Sequence, residues 1–229
     1  MSETTITKAA VAKIMDHAVL KPAMTDADIR KATTLCLTRG IGNLCVRPTD
    51  TALAKQLLKG SLTTVSVVVG FPHGACRSEV KALEATLAIE DGADELDMVM
   101  NIGKFLSGDE EYVKRDIAAV VAVAKPKGVL IKVILETGLL TLGQVACACE
   151  LAITAGADFV KTSTGFNGEG ATVEKVQVML KTCAGRVKVK ASGGIHDWER
   201  AVMFVRMNVD RLGVGGADKI LDKAPADAS

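Results

Sequence analysis

"AGADFVKTSTGF" (155–166) decides how this chain folds. Gly156 supplies the left-handed turn that closes a helix, and the stretch before it, "LGQVACACELAITAG" (142–156), carries helical apolar spacing. Phe159 and Val160 then read as a short buried strand, Lys161 ends it, and hydroxyl and glycine residues follow. Lysine is almost never fully buried unless it is paired. A lysine at the mouth of a core strand therefore needs a reason.

The same tripeptide, Gly-Ala-Asp, recurs at 92–94, after the helical "SEVKALEATLAIEDG" (78–92) and before the strand-like "ELDMVM" (95–100). Working outward, further strand-like runs are "KIMDHAVL" (13–20), "NLCV" (43–46), "TVSVVVG" (64–70), "VLIKVIL" (129–135), "DFVKTS" (158–163), "VKVKAS" (187–192) and "VDRLG" (209–213). Strands alternating with helices imply a parallel sheet covered by helices. Eight such units in 229 residues predict a compact (β/α)8 TIM barrel of the α/β class, one domain over 1–229. A doubly wound sheet is the rival, but its G-x-G-x-x-G turn after an early strand is missing. Only "KAPADAS" (223–229) reads as a loose tail.

Composition narrows the function. The chain is 48% hydrophobic and 24% charged with a net charge of +1, an ordinary globular balance with no basic stripe for nucleic acid. Its apolar runs are strand-length, too short to span a bilayer, and "MSETTITKAA" lacks a signal-peptide pattern. A cytoplasmic protein is expected. Cys36, Cys45, Cys76, Cys147, Cys149 and Cys183 contain no C-x-x-C pair and read as free thiols. His17, His73 and His196 are scattered, so no metal-ligand spacing is present.

Alternate strand residues face opposite sides. Leu96, Met98 and Met100 suit the helices, leaving Glu95, Asp97, Val99 and Asn101 on the other face. By the same parity Lys132, Lys161, and Lys188 with Lys190 oppose the apolar faces of their strands. For any one lysine the ordinary reading is a strand end reaching solvent, or a structural ion pair. Asp97, Lys132, Lys161 and Lys190 converging inside one barrel is different, because clustered desolvated charge recurs at active sites. Lys161 and Lys190 also fall toward the C-terminal strand ends, where such barrels carry out chemistry. Burial and a neighbouring cation both favour a neutral amine, and a neutral lysine attacks carbonyls to form imines. Carbon–carbon bond cleavage or formation through an imine is the predicted chemistry.

These residues resemble the deoxyribose-phosphate aldolase family. The matching segments are "DHAVLKP" (16–22), "NLCVRP" (43–48), "VVVGFPHG" (67–74), "EVKALEA" (79–85), "GADELDMVMNIG" (92–103), "IKVILETG" (131–138), "AGADFVKTSTGF" (155–166) and "VKASGGI" (189–195). The resemblance implies a Schiff base on Lys161, a proton shuttle at Asp97 with a bound water, and tuning and relay by Lys190. Asp16 belongs to the same network, and Lys132 matches an inward lysine of the neighbouring strand. The implied reaction is reversible cleavage of 2-deoxy-D-ribose 5-phosphate to acetaldehyde and D-glyceraldehyde 3-phosphate, a step in deoxyribonucleotide breakdown. It needs no metal and no organic cofactor. Its partners are sugar phosphates and aldehydes rather than nucleic acid or membrane, and a homo-oligomer is compatible with it. Phosphate is expected near Gly170, Ser192, Gly193, Gly194, Gly215 and Gly216, since loops after the last two strands usually cradle it in this fold.

Four departures from the family pattern touch substrate binding. Gly215-Gly216 replaces two serines, Glu169 replaces a glycine, Arg47 replaces an asparagine, and Ala18 replaces a threonine. Glu169 pointing inward would repel phosphate, and Arg47 reaching the same rim would offset it. Some members of the family end in a tail tyrosine; the sole tyrosine here, Tyr112, lies in the charged "DEEYVKRD" (109–116). Two alternatives stay open: the same imine chemistry on a different or unphosphorylated aldehyde, and a barrel that binds sugar phosphates without turnover.

Overall fold

Eight short apolar runs each become a strand, and each strand hydrogen-bonds in parallel to its sequence neighbours. The computed structural model describes residues 6–228. The strands are β1 (Met15–Val19), β2 (Asn43–Val46), β3 (Thr64–Val69), β4 (Glu95–Val99), β5 (Leu130–Ile134), β6 (Phe159–Lys161), β7 (Lys188–Ser192) and β8 (Arg211–Val214). They close as a barrel in sequence order, with β8 returning to β1. This is the (β/α)8 TIM barrel expected from the alternation. The last strand sits slightly later than "VDRLG" suggested. Strand β6 is only three residues long, yet Thr162 still donates to Lys190 O (3.1 Å) and accepts from Thr137 N (2.9 Å). That pins the chain just beyond Lys161 on both sides.

The Gly-Ala-Asp repeat has a physical role. Gly92 and Gly156 adopt φ of 100° and 91° and turn each helix into the next strand. The aspartate that follows latches the neighbouring strand: Asp94 accepts from Val65 N (2.9 Å) and Asp158 from Ile131 N (2.8 Å). A third copy is hidden in "NVD", where Asn208 takes φ of 64° and Asp210 accepts from Val189 N (2.8 Å). Asparagine tolerates the left-handed region better than most residues, so the device survives the loss of glycine. These latches fix the strand register, and with it which side chains point inward.

The outer barrel face carries Leu96, Met98, Ile131, Val133, Val160 and Val189, all within 1% of full burial. Each contributes about 1.5–3 kcal/mol of burial. The inner face is filled differently. Phe159 plugs the lower end with the Lys188 ammonium 5.4 Å from its ring centroid, and charged side chains stack above it. Among the described residues no helix is long and apolar enough to cross a membrane. Near the C-terminus, Ala226–Ala228 forms a 3₁₀ turn with Ala228 buried.

Candidate active site

Register brings the inward charges to one level. Asp97 pairs across the sheet with Lys132, and Lys161 with Lys190. Asp97 is the hub: its Oδ1 accepts from Lys132 Nζ (2.7 Å), and its Oδ2 accepts from both Lys161 and Lys190 Nζ (2.7 Å each). Lys190 also donates to Asp16 Oδ2. Lys132 reaches Glu95 (2.5 Å) and Asp16 (3.4 Å). The structure therefore assembles Asp16, Asp97, Lys132, Lys161 and Lys190 into one buried network.

Two members were not singled out from sequence. Glu95 lies on the inward parity of β4, two residues before Asp97, and Arg211 lies on that of β8. Arg211 donates to Asp16 Oδ1 (2.6 Å) and Glu95 Oε1 (2.9 Å). The alternation rule that found Asp97 marks both; only the extension to β8 was lacking.

Lys132, Lys161, Lys190 and Arg211 face Asp16, Glu95 and Asp97, four cations against three carboxylates. A neutral Lys161 balances the cluster. Burial holds the Lys161 amine below the ordinary lysine range; Asp97 opposes this and the Lys190 charge adds to it. Burial is the larger of the two expected causes, and repulsion by Lys190 the smaller. Burial also works against the Lys190 charge, but Asp16 and Asp97 outweigh it and hold Lys190 above its usual value. Asp16 is brought down to about 2, its burial overridden by Lys190, Lys132 and Arg211. Asp97 is likewise held well below the carboxylate range, its burial overridden by Lys132, Lys161 and Lys190. Lys161 is thus the one lysine of the network whose pKa is lowered, while Lys132 and Lys190 are raised.

A cavity of about 1090 Å³ opens above this network at the C-terminal ends of the strands. Asp16, Lys161 and Lys190 line it, whereas Asp97 and Lys132 do not. Cys45 lines it as well, its thiol pushed up by burial and by the Asp97 charge. The expected phosphate residues divide. Gly193, Gly194, Gly215 and Gly216 line the cavity, with Lys21, His196 and Lys219 nearby on its wall. Ser192 and Gly170 do not. Ser192 is buried and donates to Ser163 O (2.6 Å). A Cβ on Gly170 would fall 2.2 Å from the Gly193 backbone, so this glycine lets two loops touch.

The two charged departures turn away from the cavity. Glu169 is 61% exposed and faces Lys175 (3.5 Å). Arg47 donates to Asp50 (2.6 Å) and to the carbonyls of Lys21, Pro22 and Met24, so it braces the 21–24 loop that walls the cavity. Neither the expected repulsion nor its expected offset is present.

Comparison with known proteins agrees with this geometry. Residues 10–217 match the DeoC/LacD family aldolase profile. A deoxyribose-phosphate aldolase of Thermococcus gammatolerans is 48% identical over 216 residues, 93% of this chain and 96% of that protein. One from Clostridium perfringens is 46% identical, over 97% of this chain and 99% of its own length. Among solved structures, the tetrameric deoxyribose phosphate aldolase of Aeropyrum pernix superposes with a TM-score of 0.88 at 32% identity, over 94% of this chain and 91% of that one. With a matched profile across nearly its whole length and relatives at 46–48% identity over nearly all of it, the chain belongs to the DeoC/LacD family of aldolases.

Proposed function

We propose that this protein reversibly cleaves 2-deoxy-D-ribose 5-phosphate to acetaldehyde and D-glyceraldehyde 3-phosphate through an imine on Lys161. The observation that carries the reading is a buried lysine, in cationic surplus, that reaches the floor of the cavity. The neutral amine adds to C1 of the open-chain sugar and water is lost, giving an iminium. A base takes the C3 hydroxyl proton as the C2–C3 bond breaks, and the bonding electrons move into the iminium to give an enamine. Glyceraldehyde 3-phosphate departs, the enamine is protonated at C2, and hydrolysis releases acetaldehyde and free Lys161.

The proton traffic falls to groups at the floor. Lys190 lines the cavity and bridges Asp16 and Asp97, so it can pass a proton between the substrate and the carboxylates below. Asp97, already accepting from three ammonium groups, serves as counter-charge to the iminium. A water carried between Asp97 and the substrate completes the relay. Lys132 and Arg211 hold the carboxylates in place.

Glycines 193, 194, 215 and 216 and the cationic wall form the phosphate end. With Glu169 turned outward, the missing serine hydroxyls are the departure that bears on affinity. Open space surrounds a Cβ built on Gly215. Gly215→Ser should lower KM for the phosphorylated sugar about fivefold, one net hydrogen bond of about 1 kcal/mol, while Glu169→Gly leaves it unchanged. A homo-oligomer in the cytoplasm is part of the same reading, since the Aeropyrum pernix relative is tetrameric and a sugar phosphate does not cross membranes unaided.

The test is incubation with deoxyribose 5-phosphate and quantification of both aldehydes. Equimolar release that survives exhaustive chelation is expected, the iminium acting as electron sink. Release that stops on chelation and returns with zinc or magnesium would contradict the imine route, and no release at all would favour a binding barrel.

A further inference from the structure

Glu136 follows β5 and faces away from the charged network. It is 1% exposed, and among the described residues it forms no ion pair. Its backbone sits at φ 55° and ψ 58°, left-handed for a residue with a long side chain. Such strain costs of the order of 1–3 kcal/mol and persists where the surroundings enforce it, often at functional sites. The flanking residues remain tied to the β6 chain: Leu135 N donates to Lys161 O and Thr137 N to Thr162 O (2.9 Å each). Glu136 alone is turned out of the ladder.

The turn aims its carboxyl at the loop after Lys161. Oε1 accepts from Thr164 N (3.1 Å), and Oε2 accepts from Thr164 Oγ1 (2.5 Å) and Asn167 Nδ2 (3.0 Å). Asn167 also donates to Pro72 O (2.9 Å), on the turn after β3. Phe71 of that turn meets Phe166 edge-on, with ring centroids 5.1 Å apart. Thr164, Gly165 and Phe166 form one wall of the cavity, which Gly193 and Gly194 also line. Phe166 is 43% exposed, so that wall is not held by packing alone. Glu136 links it to β5 and, through Asn167, to the β3 turn.

We propose that Glu136 is a positioning residue that fixes the 164–167 wall against which the departing aldehyde of the substrate lies, and so sets recognition of that half of the molecule. The proposal rests on the reading of the cavity given above. Lys161 itself is held by the sheet ladder and the charged network, independently of Glu136. Wall and nucleophile should therefore respond separately.

In Glu136→Gln the amide oxygen still accepts from Thr164 N, but its NH₂ meets the Asn167 NH₂, donor against donor. KM for deoxyribose 5-phosphate should rise about tenfold, the scale of one lost charge-assisted hydrogen bond, with kcat within about threefold. Borohydride trapping of acetaldehyde on Lys161 should keep its rate, because the two-carbon fragment does not reach the wall. Adding Asn167→Asp gives the new NH₂ an acceptor and should recover part of the KM. If Glu136→Gln does not fold, Asn167→Ala removes the same link and should show the same split. An unchanged KM, or a fall in trapping that matches the loss in turnover, would overturn the proposal. Absence of trapping in the unaltered protein would instead defeat the reading of the site, and this proposal with it.

Discussion

Lys81 and Lys161 are both buried against an aspartate, but only Lys161 reaches the cavity. Lys81, on the helix Ser78–Glu90, donates to Asp116 Oδ2 (2.5 Å) and Val99 O (2.9 Å), and Asp116 also accepts from Ser78 Oγ (2.9 Å). Lysine and aspartate are both fully buried, matched one to one. Gly70 leaves the space the lysine stem fills, since a Cβ there would sit 2.9 Å from Lys81 Cε. Lys161 is nearly as buried, at 4%, but it shares Asp97 with two other ammonium groups and reaches a cavity. Burial lowers the basicity of both, each against an opposing aspartate. A depressed lysine is therefore not in itself a nucleophile. Surplus positive charge and access to substrate make the difference.

Substitutions can separate the two sites. The largest effect is expected for Lys161→Ala, which removes the nucleophile and should take aldol cleavage to background; residual cleavage at a fair fraction of the original rate would mean another group forms the imine. Lys190→Leu should lower kcat by on the order of a hundredfold, within the usual range for a lost proton-transfer group. It should also move the imine-forming limb of the pH–rate profile to higher pH, because removing a cation favours protonated Lys161. A profile that stays in place would uncouple the two lysines.

Lys81→Met should behave otherwise. It strands Asp116 in the interior and should cost about 3–5 kcal/mol of stability in denaturant titrations, while the folded fraction keeps its pH–rate profile. A shifted profile would mean that Lys81 takes part in the chemistry. The smallest effects belong to the outer pair of the network. Glu95→Gln removes a negative charge and should shift the Lys161 limb to lower pH; Arg211→Met removes a positive charge and should shift it higher. Shifts of the same sign would contradict the charge-balance view.

Much of this was legible in the sequence because two periodicities carry it. Alternation along each strand placed Asp97, Lys132, Lys161 and Lys190 inside, and the (β/α)8 repeat placed the strands around one axis. Other features depend on contacts that no local pattern encodes. Lys81 stands in a helix with ordinary spacing, and its burial follows from the packing of two helices around Asp116. Glu169 and Arg47 were judged by where a relative's residues would lie, yet side-chain direction depends on Lys175 and on the Lys21–Met24 carbonyls. Ser192 and Gly170 sit within motifs of the right composition but serve the contact between the β6 and β7 loops. Glu136 has a left-handed backbone between the end of β5 and the 3₁₀ turn at Thr137–Leu139, and nothing in "VILETG" announces it.

The central claim is that Lys161, alone among the buried lysines, combines a lowered pKa with access to the cavity. The direct measurement is reductive trapping: acetaldehyde and borohydride across a pH series, with peptide mass spectrometry to locate the adduct. Because the folded protein lowers the Lys161 pKa, labelling should rise with pH through that lowered value and level off before an ordinary lysine begins to react. The account predicts a single ethyl adduct on Lys161, with Lys81, Lys132 and Lys190 unmodified. Labelling that centres on Lys190 or Lys132, or that rises only in the pH range of a free lysine, would contradict it.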